Sequence, residues 1–74
     1  SASHCFTAVI DGKQYIAMFS WETGEQIVEL DPLRAGLKTG VSYRELWSGK
    51  TVQEKEGRIS WNIKDCDAAL FKEE

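Results

Sequence analysis

Apolar and polar residues alternate along this chain in short bursts separated by turn-forming clusters. The clearest burst is RISWNIK, residues 58–64, where Ile59, Trp61 and Ile63 interleave with Ser60, Asn62 and Lys64. Successive side chains on a strand point to opposite faces, so this segment predicts a half-buried strand with Trp61 on its core side. In QIVEL, Val28 and Leu30 share one face, and Ile27 and Glu29 share the other. DGK (11–13), ETGE (22–25), DPLRAG (31–36), SGK (48–50), EG (56–57) and KDCD (64–67) punctuate such runs. The runs themselves are rich in β-branched and aromatic residues, the composition of strands. The pattern predicts strands at 4–10, 14–21, 26–30, 41–47, 51–55, 58–63 and 67–72. Between the third and fourth it predicts one helical turn near 32–36, capped by Asp31 and ended by Gly36, with Pro32 where its missing N–H costs nothing. Seven short antiparallel strands at this spacing predict an all-β fold, a two-sheet antiparallel β-sandwich with Greek-key-like connections.

Three segments depart from one-sided alternation. In QYIAMFSW, Ile16 and Met18 share one face, but Tyr15, Ala17, Phe19 and Trp21 share the other. In HCFTAVI, Cys5 and Val9 oppose Phe6, Ala8 and Ile10; in DAALFK, Ala68 and Leu70 oppose Ala69 and Phe71. A sandwich needs only one apolar face per strand, and an apolar outer face is either covered or adhesive. Plain β-propensity offers a second account, because aromatic residues fit half-exposed pleated surfaces. If the three strands share a sheet, its outer side is expected to be covered by something this chain does not contain.

The chain has 74 residues, enough for one domain spanning 1–74 and too few for a deep core: about 60% of the unfolded surface can be buried at this size. A start at Ser-Ala-Ser without methionine reads as the edge of a piece excised from a larger polypeptide, and SASHCF lacks the charged start and long apolar stretch of a leader peptide. No apolar run approaches the roughly 18 residues of a membrane-spanning helix. With a net charge of −3 and nine basic residues scattered singly, the chain lacks the clustered cations that nucleic acid requires. Cys5 and Cys66 could be joined if the first and last strands lie side by side, closing a loop of about 60 residues; two separate small buried or half-buried thiols are the preferred reading.

Catalytic chemistry finds little to work with. The one histidine, His4, stands beside Cys5, but neighbours on a strand face opposite ways, and no triad can be assembled. Two thiols and one imidazole fall short of a zinc set, so no metal and no cofactor is expected. Most carboxylates stand at turns or ends. Glu45 is the exception, sharing a strand face with Val41, Tyr43 and Trp47 if that strand is regular. An acid among bulky apolar groups is costly unless it is hydrogen-bonded. Either the strand bulges and Glu45 reaches water, or it is a buried structural carboxylate bonded by turn amides, Arg44 or Arg58.

The ordered pieces AMFSWE, IVELD, LRAGL, YRELWSGK, GRISWNI and DAALFK resemble the small C-terminal β-sandwich that follows the catalytic barrel in alpha-galactosidases (melibiases) and related glycoside hydrolases. FSW at 19–21 stands where that family often has FNW, and ELWSGK at 45–50 where it often has DLWTGK. The resemblance spans residues 13–72 or so. It implies a noncatalytic accessory domain, because the family's catalytic aspartates lie on the barrel and none maps onto this chain. It implies the catalytic domain of the same polypeptide as partner, and the two-sided apolar pattern offers Tyr15, Phe19, Trp21 and Phe71 as interdomain packing residues. The alternative is a carbohydrate-binding module that stacks sugars on Trp21, Trp47 or Tyr15. Trp47 is expected to close one end of the sandwich, with Leu46 on the opposite face; docking and sugar stacking are its other two readings. A periplasmic or secreted parent suits a polysaccharide-degrading enzyme, and the cysteines neither require nor exclude it.

Overall fold

The computed structural model describes residues 3–74, so the first two residues of the Ser-Ala-Ser start lie outside the described residues. Seven strands follow in order: β1 (Ser3–Ile10), β2 (Lys13–Ser20), β3 (Glu25–Leu30), β4 (Ser42–Glu45), β5 (Thr51–Gln53), β6 (Ile59–Lys64) and β7 (Ala68–Glu73). All pairings are antiparallel. One sheet has the order β1-β2-β7-β4-β5, and β3-β6 forms a second sheet. Successive strands β4 and β5 pair, β6 crosses to the second sheet, and β7 returns to lie beside β4, which is the Greek-key path. The sequence predicted this architecture.

Turn chemistry fixes the register. Asp11-Gly12 and Glu56-Gly57 each hold two consecutive positive φ angles, the two-residue hairpin geometry that matches strand twist. In the second, Lys55 and Arg58 exchange both backbone hydrogen bonds. The predicted helical turn is present as a single capped turn. Asp31 Oδ1 accepts from the Arg34 amide at 3.2 Å. Leu37 N–H donates to Pro32 C=O and Gly36 N–H to Leu33 C=O, with Gly36 at φ 76°, the Schellman arrangement.

The core lies between the sheets. Ile16 and Met18 from β2, Ala69 and Phe71 from β7, and Tyr43 from β4 face Val28 from β3 and Ile59 and Ile63 from β6. Trp61 is half-buried and meets Phe71 edge-on, with ring centroids 5.1 Å apart. Phe71 is a correction to the sequence reading. Its pairing of faces was right, since Ala69 and Phe71 oppose Ala68 and Leu70, but Phe71 is fully buried inside the domain and cannot pack against a neighbour. Its volume is what the space between the two sheets requires.

Cys5 and Cys66 are both free thiols. Cys5 faces inward opposite Met18, half-buried, and burial pushes its thiol up. Cys66 is exposed in the β6–β7 turn, where its Sγ donates to the Trp21 carbonyl at 2.9 Å. Asp65 and Cys66 both have positive φ, a costly backbone for side-chain-bearing residues. The turn is held by four bonds to the loop before β3: Asp65 N–H to Gly24 C=O, Gly24 N–H to Asp65 Oδ1, Cys66 N–H to Glu22 C=O, and the thiol just described.

Replacing Phe71 with alanine is expected to cost about 3–5 kcal/mol, the range for a buried aromatic, whereas Phe6→Ala should stay within about 0.5 kcal/mol, as exposed positions do. Denaturant unfolding of the two variants tests this; similar losses would mean that the two rings are not on opposite sides of the sheet.

Candidate functional site

Register places the residues of the outer face in rows. Ala8 stands beside Tyr15 and Lys72, Phe6 beside Ala17 and Leu70, and His4 beside Phe19 and Ala68. Leu46 continues the middle row, its amide donating to the Leu70 carbonyl at 2.8 Å. Alanines floor this face and larger side chains rim it, so its centre is a shallow hollow lined by Phe6, Ala8, Ile10, Tyr15, Ala17 and Leu70. Phe6 is 61% exposed, Ile10 53% and Trp21 59%. An aromatic row runs along one end. Trp21 lies parallel to Phe19 at 5.9 Å, Phe6 meets Phe19 edge-on at 5.8 Å, and His4 tilts toward Trp21 at 6.3 Å. At the other end Lys72 Nζ sits 5.8 Å from the centre of the Tyr15 ring.

Of the residues expected to form a packing surface, Tyr15, Phe19 and Trp21 share this face, and Phe71 does not. Phe6, Ile10, Leu70 and Leu46 belong to it as well. The alternation of HCFTAVI and DAALFK carried the signal for all of these but Leu46. The three rings proposed for stacking sugars do not converge. Tyr15 on β2 and Trp21 just past its end are six residues apart, roughly 20 Å at the rise of a strand. Trp47 lines a separate concavity with Trp61, Ser48 and Asp67.

Trp47 does not close the sandwich as expected; it is 70% exposed. The reason is Glu45. β4 stops there because the carboxylate is buried and turns the chain: Oε1 accepts from the Ser48 amide at 2.7 Å and Oε2 from the Leu70 amide at 3.1 Å. The Glu45 carbonyl accepts from Gly49, and its amide donates to Lys50. Leu46, Trp47 and Ser48 form the resulting turn. Burial works to raise the Glu45 carboxyl, but the Ser48, Leu70 and Trp47 amides outweigh it and hold it below its ordinary 4.5. Of the two readings open from sequence, the buried carboxylate bonded by turn amides is the one observed, with Arg44 engaged elsewhere, on Glu74 and the Gly49 carbonyl.

A second polar cluster had no sequence signature. Gln14 Nε2 donates to the Tyr43 hydroxyl at 2.6 Å, Gln14 N–H to Glu73 Oε1 at 2.9 Å, and Lys38 N–H to Gln14 Oε1 at 2.6 Å. Lys38 Nζ completes the ring on Glu73 Oε2 at 2.8 Å. The Lys38 bond and the Gln14 amide lower the Glu73 carboxyl, and burial raises the Tyr43 phenol. Among the described residues, no buried side-chain nitrogen or oxygen lacks a partner.

No family model matches the sequence, and no curated protein does. Two solved structures share the fold. AmyP, crystallised with maltotriose, superposes with a TM-score of 0.78 at 17% identity over 96% of this chain. An Anoxybacillus alpha-amylase superposes with a TM-score of 0.75 at 19% identity over 97%. This chain corresponds to only 14% and 15% of their lengths.

Both buried carboxyls are held below their unfolded value, so their contribution is complete above about pH 4.5 and is lost as the pH falls through the folded values. Glu45→Gln turns an amino group toward an amide donor, and is expected to cost about 1–3 kcal/mol near neutrality. Its stability should also fall less than that of the parent chain on acidification. Thermal melts of both proteins across the acid range check the two effects together; parallel acid limbs would exclude Glu45 as a source of the pH dependence.

Proposed function

We propose that this chain is a noncatalytic accessory β-sandwich of a glycoside hydrolase, packing through its outer flank on the catalytic domain of the same polypeptide and stabilising it. One observation carries the reading: the outer face of β1, β2 and β7 presents Phe6, Ile10 and Trp21 to solvent around an alanine-floored hollow. Exposed contiguous apolar surface of this kind marks an interaction site. The pieces from AMFSWE to DAALFK support a position after a catalytic barrel. The near-complete superposition on small parts of an alpha-amylase and of a maltotriose-bound protein supports the same class.

The two lines of support differ on the parent's substrate. The ordered motifs favour an alpha-galactosidase-type parent, and the fold likeness favours one acting on α-glucans. Superposition over 96–97% of the chain weighs more than a few short motifs, so an α-glucan-active parent is preferred. Assay of the parent polypeptide on starch and on an aryl α-galactoside separates them.

The packing role has its own test. In the full polypeptide, Phe6→Ser with Trp21→Ser should lower the melting temperature of the catalytic domain by several degrees, with kcat unchanged below the transition. In the 74-residue chain the same pair should leave stability within about 1 kcal/mol, because both positions are exposed. An unchanged melting temperature of the catalytic domain would refute packing through this face.

A further inference from the structure

The concavity beside the β4–β5 turn shares only Ala68 with the flank assigned to packing. Trp47 stands on that turn, 70% exposed, and among the described residues no aromatic ring stacks on it. Trp21 differs, since Phe19 already lies parallel to it. The position of Trp47 is not slack. The buried Glu45 carboxylate holds the Ser48 amide at 2.7 Å, the Glu45 carbonyl holds Gly49 at 2.8 Å, and Ser48 Oγ accepts from the Lys50 amide at 3.2 Å. Leu46 is tied to β7 at 2.8 Å. Trp61, which lines the same hollow, is fixed edge-on against Phe71. Asp67, whose Oδ1 accepts from the Ala68 amide, and Ser48 line the same hollow.

An exposed indole costs apolar hydration, and this one is 70% exposed. Indole rings together with carboxylate and hydroxyl groups lining one hollow match one chemical class well. A pyranose presents a C–H face to an aromatic ring and equatorial hydroxyls to hydrogen-bond acceptors at its rim. From this arrangement we infer that the Trp47–Trp61 hollow is a carbohydrate-binding site for a pyranose unit of an oligosaccharide, with Trp47 as the stacking platform, Trp61 as the wall and Asp67 as the hydroxyl acceptor. Tyr15 and Trp21 take no part in it. The site does not depend on the packing role of the outer flank.

The test is an amide and indole NMR titration of the 74-residue chain with maltotriose and, separately, melibiose. Saturable shifts at millimolar sugar are expected for the Trp47 and Trp61 indole N–H signals and the Ala68 amide, with the Trp21 signal unmoved. Trp47→Ala, at an exposed position, should keep the fold and weaken binding at least about tenfold, as loss of a central aromatic anchor does. Asp67→Asn keeps an acceptor and the Ala68 bond, and should weaken it less. Unsaturated shifts with both sugars would overturn the inference, as would shifts centred on Trp21 or undiminished binding by Trp47→Ala.

Discussion

The antiparallel ladder between β2 and β7 is the constraint from which the rest follows. Each strand delivers side chains alternately to the two sides of its sheet, and these two strands carry apolar groups to both. Ile16, Met18, Ala69 and Phe71 go inward, where β3 and β6 cover them. Ala17, Phe19, Ala68 and Leu70 necessarily go outward. A two-stranded second sheet roofs only the inner side, so the central ladder leaves one half of its apolar surface to solvent or to a neighbour. The outer flank is therefore a direct result of the pairing register, and a slip of one residue would exchange the two faces.

Two carboxylates then fix one end each of the β4–β7 and β2–β7 ladders. Glu45 bonds the Leu70 amide, on the side where β4 leaves β7, while Glu73 bonds the Gln14 amide just beyond the last paired residues of β2 and β7. Each supplies an acceptor where the regular backbone pattern runs out, and each recruits a loop: Ser48 in one case, Lys38 in the other. A small domain has few layers in which to specify one arrangement. Buried acids bonded by backbone amides do so by making displaced registers leave a charge unpartnered.

Much of this was legible from the chain because period-two alternation and Gly-containing turns are local signals. All seven strands, the capped turn at Asp31–Gly36 and the two-sided apolar pattern of β1, β2 and β7 were read that way. What failed was what local signals do not encode. Alternation grouped Phe71 with Ala69 but could not say which side held the second sheet. Strand periodicity continued through Leu46 and Trp47, although the Glu45 side chain had already bent the chain by capturing the Ser48 amide. The Gln14–Tyr43–Glu73–Lys38 ring joins residues up to 59 positions apart, and no spacing rule anticipates such a closure. The hollow at Trp47 was hidden for the same reason, since Trp61 and Asp67 reach it from β6 and from the turn before β7.

The larger sheet overhangs the smaller one. Val9 points to the inner side, opposite Gln14, yet it is 61% exposed, and Ile10 beside it points outward and is 53% exposed. The β1–β2 hairpin thus ends as a tongue with grease on its upper and lower surfaces. Any body seated on the flank that also curls around Asp11 and Gly12 would grip this tongue as a mortise grips a tenon. Such a joint resists sideways sliding far better than two flat plates of equal area.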